Sequence, residues 1–198
     1  MNSLVLFGVA ALVINCIGYI PYFKGIFEGR VKPQRITWGI WTILTSIAFI
    51  NQVANGGGWS ALFFGSTTLL VVGVFVLSFK YGVGGSSKLD QAVLGMAFLL
   101  TAMWAITGDT VNSTYFVIAI DSIGALPTIV KAYKNPETEV YLQWFMAALA
   151  GGLSLLAVGK NGSLVLYAYP IYVFIFNMII VTAKYSGQRV KNRKSLAS

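Results

Sequence analysis

The chain reads as an all-α membrane protein, with seven transmembrane helices arranged as two parallel three-helix repeats joined by a linker helix. Three observations predict this. Of its 198 residues, 57% are apolar and only 10% are charged, whereas a soluble domain is about a quarter charged. The apolar residues fall in seven runs, each close to the ~20 residues a helix needs to cross hydrocarbon. A set of special residues in the first half also recurs in the second half at a constant shift.

The first run covers 3–27. Its opening, MNSLVLFGVA, lacks the positive start of a secretory signal and reads as a retained helix. Cys16 lies inside it and is the only cysteine, so no intramolecular disulfide can form. The second run, 36–54, stops at the breaker Asn55-Gly56-Gly57-Gly58, and the third, 59–79, ends before the Gly- and Ser-rich loop KYGVGGSSKLD. The fourth, 91–107, is short. The fifth covers 113–133, the sixth 140–158 up to Lys160-Asn161-Gly162, and the seventh 163–183. Barrel strands would be ~9–11 residues long and would alternate apolar with polar. Residues 69–77 (LLVVGVFVL) do not alternate, so helices are expected. The organisation that follows is a first repeat over 1–87, a linker helix over 88–112, a second repeat over 113–185 and a basic tail over 186–198.

Lys and Arg counts orient the chain. Loop one carries Lys24, Arg30, Lys32 and Arg35; loop three Lys80 and Lys88; loop five Lys131 and Lys134. The tail carries Lys184, Arg189, Lys191, Arg193 and Lys194. The opposite side has Lys160 alone, with Asp109 nearby. The N-terminus is therefore expected outside and the C-terminus in the cytoplasm, in a plasma (inner) membrane. The net charge of +8 does not point to nucleic acid, because the charges sit in short loops with no soluble domain to present them. Beside a membrane they suit anionic lipid, at about 1 kcal/mol per Lys or Arg.

A shift of 106 residues places Gly18 on Gly124, Pro21 on Pro127, Trp38 on Trp144, Ile14 on Ile120 and Asn55-Gly56 on Asn161-Gly162. The third and seventh runs end alike, in Lys80-Tyr81-Gly82 and Lys184-Tyr185-Ser186-Gly187. Three helices are an odd number, so a fourth crossing is needed for the second triplet to run parallel to the first. Parallel repeats about an axis normal to the membrane enclose a cavity between the halves.

Three helices, a linker and three more, with a proline in helix one and the loop pair Pro33-Gln34, resemble the PQ-loop/SWEET transporter superfamily over nearly the whole chain. Its members include sugar transporters, amino-acid exporters, vitamin-precursor uptake proteins and the KDEL receptor. The family's Pro-Gln pair usually sits within helix one, where this chain has Pro21-Tyr22. Pro33-Gln34 therefore reads as a cytoplasmic turn. The resemblance implies alternating access by a solute carrier and leaves the substrate class open.

Asp121 is the sharpest single residue. It lies mid-helix in FVIAIDSIGALP, where a carboxylate costs about 2.5–3.5 kcal/mol on insertion scales. Such a residue should face a cavity or a partner. Its repeat mate is Asn15, equally deep. Asp121 is a candidate to bind substrate hydroxyls or amines and to carry a proton; the alternative is a neutral carboxyl bonded to Asn15, Ser122 or a backbone carbonyl. Trp41, one turn beyond Trp38, offers an apolar platform for a ring; Ala147 stands at its repeat position. Asn177 in VFIFNMIIV is either a ligand contact or interhelical glue. Pro21 and Pro127 each remove a backbone donor and are candidate hinges. Trp38 and Trp144 begin their helices at the cytoplasmic edge and read as interface anchors. Tyr167 and Tyr169, beside Pro170 in the outer third of the seventh run, read as an aromatic belt, with an outer gate as the alternative. Ala147/Gly151 and Ala148/Gly152 are small-xxx-small pairs that pack helices within or between protomers, so a homo-oligomer is one arrangement they permit.

Enzyme chemistry has little to work with. The chain has no histidine, which removes His-based acid–base, triad and zinc sites. Glu137 and Glu139, the one close acid pair, lie in a loop without a nucleophile. No phosphate-cradling motif is present, and no lysine sits deep in the seventh run for a retinal Schiff base. Neither a cofactor nor a metal is expected. The expected partners are a small-molecule substrate and the lipid bilayer. The expected function is movement of a small polar solute (sugar, amino acid or vitamin precursor) by alternating access, with proton coupling open. The alternative is a non-transporting receptor, sorting or structural protein on the same fold.

Overall fold

A computed structural model of the chain describes residues 3–85, 87–107, 110–160 and 164–196. The turn Asn161-Gly162 and Asp109, both used in the sequence reading, lie outside these residues. The described residues form α-helices α1 (Ser3–Phe27), α2 (Arg35–Ala54), α3 (Ala61–Tyr81), α4 (Lys88–Thr107), α5 (Thr110–Gly124), α6 (Leu126–Lys134), α7 (Tyr141–Val158) and α8 (Leu164–Leu196). Six of the described helical segments are long and apolar enough to cross a membrane: Ser3–Phe27, Arg35–Ala54, Gly58–Tyr81, Thr114–Lys134, Tyr141–Val158 and Leu164–Arg193. They fit an integral membrane protein.

The fifth apolar run is two helices. The chain turns at Ala125, and Pro127 falls in the first turn of α6, where a missing N–H leaves no bond unmade. Pro21, by contrast, lies inside α1, which continues to Phe27. The two prolines expected to kink their helices alike thus sit in different local structures.

Helix α1 packs chiefly on α7 and also on α3. Helix α2 lies on α3 and α5, α8 on α7, α6 and α5, and α4 on α5. Glycines set the closest approaches. A Cβ on Gly18 would stand 2.7 Å from Met146 Cβ, and one on Gly124 would stand 2.9 Å from Ile40 Cγ2. Either distance is far inside van der Waals contact, so the α1–α7 and α2–α5 crossings both need hydrogen at that position. Gly151 serves α7 on α8 in the same way, 3.2 Å from the Phe174 nitrogen.

The basic loops gather at one end of the bundle, where polar contacts stitch them together. Pro33-Gln34 is more than a turn. Val83 N–H donates to the Pro33 carbonyl and Arg35 N–H to the Val83 carbonyl, each at 2.8 Å. Gln34 Nε2 reaches Asp90 Oδ1 at 2.6 Å. Ser87 and Asp90 form a capping box at the start of α4: Asp90 N–H donates to Ser87 Oγ at 3.0 Å, and Ser87 N–H donates to Asp90 Oδ2 at 3.2 Å. Burial alone would raise the Asp90 carboxyl. The hydrogen bonds from Gly85, Ser87 and Gln34 outweigh it and hold the group below its ordinary value. Further round, Lys131 Nζ lies 2.5 Å from Glu139 Oε1 and also donates to the Lys32 carbonyl. Lys184 donates to the Pro136 carbonyl, and Lys191 pairs with Glu137 at 2.7 Å.

The basic tail is helical through Leu196 as a continuation of α8. Its 33 residues reach about 50 Å, well beyond a hydrocarbon core of ~30 Å. The Lys191–Glu137 pair holds this extension against the loop before α7.

Candidate binding cavity

Helices α1, α2, α3, α5, α7 and α8 surround a cavity with about 60 Å³ of room for water centres, several times the ~10–15 Å³ that one water requires. Asp121, Asn15, Trp41 and Asn177, the four residues singled out from the sequence as binding candidates, all line it. Residues from four different helices thus converge on one space.

Asp121 is buried at 5% exposure and held by donors from two helices. Trp41 Nε1 of α2 donates to Oδ1 at 2.5 Å, and Tyr169 Oη of α8 donates to Oδ2 at 2.8 Å. Neither partner was expected at that position. Each carboxylate oxygen has two lone pairs, so these two bonds leave acceptor capacity on the group. Asn15, at 1% exposure, turns instead to α3. Its Nδ2 donates to Thr67 Oγ1 at 2.9 Å and to Ser66 Oγ at 3.3 Å. Asn177 Nδ2 bonds back to the Val173 carbonyl at 2.8 Å.

Trp38 and Trp144 correct the anchor expectation. An interface anchor meets headgroups, yet Trp38 is 0% and Trp144 2% exposed. Both indoles turn inward, where α1, α2 and α7 converge. Their ring centroids are 6.1 Å apart, Trp41 lies 5.1 Å from Trp38 and 5.8 Å from Trp144, and Tyr22 packs on Trp38 at 5.4 Å. Trp144 Nε1 donates to Glu139 Oε2 at 3.0 Å, which ties the cavity's lining at the basic end to the Lys131–Glu139 pair. Burying a large aromatic body against its like is favourable wherever it happens, and for Trp144 the indole N–H is satisfied as well. The position of a tryptophan at a helix start does not say which face it takes.

Tyr169 is likewise a cavity residue and not part of an outer belt. Sequence reasoning also passed over Gln143, Tyr19 and Tyr172, all lining the cavity. A signal for them exists in helical spacing. Tyr19 is four residues from Asn15, Gln143 is four from Ala147, and Tyr169, Tyr172 and Phe176 form an i, i+3, i+7 stripe with Asn177 beside it. Once Asn15 and Asn177 are placed inward, these neighbours follow. Pro21 and Pro127 lie outside the cavity lining, toward the basic end.

Comparison with protein-family models, curated proteins and solved structures finds no match to this chain.

Proposed function

We propose that the chain is a carrier of the PQ-loop/SWEET kind that moves a small polar solute across a membrane by alternating access, with the cavity between the helices as its binding site. The observation that carries this reading is the convergence of Asp121, Asn15, Trp41 and Asn177 on one cavity lined by six helices. A buried carboxylate in a chain with so few charges is expensive to keep, and here it lines a cavity with acceptor capacity left over.

The packing supports a repeat of 1–87 and 113–185 about the linker 88–112. The 106-residue shift turns the Gly18–Met146 contact into the Gly124–Ile40 contact, so the α1–α7 crossing has its counterpart in α5–α2. Trp38 and Trp144 are each other's equivalents and touch, as residues on a twofold axis must. Asn15 ties α1 to α3 while its equivalent Asp121 ties α5 to α8, the third helix in each triplet. Two such halves rocking about the tryptophan cluster would open the cavity to one side and then the other, with Pro21 and the Ala125–Pro127 break as hinge points. The basic end would face the cytoplasm.

Solute flux into proteoliposomes tests this. Protein-dependent uptake of at least one sugar, amino acid, nucleoside or small organic cation, lost in Asp121→Asn, is the expected result. Binding to the purified protein without flux would show a receptor on the same fold, and neither binding nor flux would leave the polar cavity a structural feature.

A further inference from the structure

Resting on the carrier reading above, we propose that the solute is a small monovalent organic cation and that it exchanges with a proton on Asp121. The cavity contains one acid and no base. The titratable groups that line the cavity with Asp121 are hydroxyls only: Tyr19 of α1, and Tyr169 and Tyr172 of α8. The lining residues from α2, α3 and α7 contribute none. Lys131 of α6 is committed to Glu139. The titratable residues of α4 are Lys88 and Asp90, both in its first turn at the basic end. Among the described residues, no protein cation therefore balances the carboxylate.

An isolated charge in a low-dielectric interior costs several kcal/mol and persists only when compensated. Trp41 and Tyr169 donate hydrogen bonds to both oxygens, which eases the anion but brings no net positive charge. Two species can supply that charge, a proton and a cationic solute, and they compete for the same carboxylate. The rest of the wall favours the second. Trp41, Trp144, Tyr169, Tyr172 and Phe176 line the cavity with the acid, and aromatic faces attract a desolvated organic cation. A polyol would leave the carboxylate unbalanced, and an anion would be repelled by it.

The balance is simple. When the cation enters, the Asp121 O–H bond breaks and its proton leaves to water on the same side. When the cation leaves on the far side, a proton from that side re-forms the O–H bond. One positive charge moves in each direction, so the cycle is electroneutral and the site is neutral in both loaded states.

Purified protein is titrated with methylammonium, tetramethylammonium, choline and N-methylpyridinium, and with 3,3-dimethylbutan-1-ol (the neutral isostere of choline), glucose and glycine. Calorimetry in two buffers of different ionisation enthalpy counts protons, and indole fluorescence reports occupancy beside Trp41 and Trp144. At least one cation is expected to bind about tenfold or more tighter than any neutral compound. It should release one proton, and its affinity should fall about tenfold per pH unit on the acid side. Asp121→Asn should weaken that binding at least about 30-fold and abolish proton release. Asp121→Glu should keep both, which separates charge from folding. Cation binding without proton release overturns the exchange. Binding of glucose or glycine but of no cation overturns the cation class while leaving a carrier intact, and flux of that solute would confirm the carrier independently. Failure of every cation in the panel to bind also overturns the proposal.

Discussion

Replacing Lys131 with methionine removes one half of the buried ion pair that underpins the basic end of the bundle. Lys131 Nζ is 2.5 Å from Glu139 Oε1, with side chains 9% and 0% exposed. Removing one partner of a buried pair costs roughly 3–5 kcal/mol, because the other charge is left unpaired. Here Trp144 still donates to Glu139 Oε2, so the lower end, about 3 kcal/mol, is expected. The lost donor to the Lys32 carbonyl adds about 1 kcal/mol. Adding Glu139→Gln to Lys131→Met removes the orphaned charge while keeping an acceptor for Trp144, and should recover about 2 kcal/mol. Equilibrium unfolding by SDS mole fraction, on Lys131→Met, Glu139→Gln and the double variant, measures the loss and the recovery. A single-variant loss below about 1 kcal/mol, or strictly additive effects, would show that water reaches the pair and would refute its role as a buried stitch.

Two further outcomes follow from the packing and the loop contacts. Asp90 is held below its ordinary carboxyl value, so it stabilises the fold above the ordinary carboxylate range and loses that contribution as pH falls through its lowered value. Asp90→Asn should therefore cost about 1 kcal/mol at neutral pH, and the gap from the parent in thermal melts should close toward acid; a gap that widens toward acid would contradict this. Gly18→Ala should destabilise by about 1–3 kcal/mol, since its Cβ would meet Met146 Cβ at 2.7 Å and a Cβ cannot swing away. Gly95→Ala, with nothing within 4 Å, is the control and should be neutral or slightly stabilising.

The helices were legible because apolar run length and glycine breakers act locally. The runs predicted over 3–27, 36–54 and 140–158 coincide with α1, α2 and α7 to within about a residue at each end. The break at Ala125 was less so, because a proline near a run's end is compatible both with a kink and with a new helix start. Within the site, Asp121, Asn15 and Asn177 stood out because polar groups at hydrocarbon depth have few reasons to exist. Tyr169 and Trp144 did not, because an aromatic residue near a helix end suits either the headgroup layer or the interior, and only the rotation of its helix decides between them. Gln34 was misjudged for a related reason: its partner, Asp90, lies 56 residues away, and no local pattern announces such a contact.

Alternating access predicts that one cavity position meets both faces of the membrane in turn. Ala147 lines the cavity, and Cys16 is the only native cysteine, so Ala147→Cys in a Cys16→Ser background gives a single reporter. In sealed, uniformly oriented vesicles, a membrane-impermeant thiol reagent should label it from either side. Labelling from one side only, under every condition tried, would contradict the account.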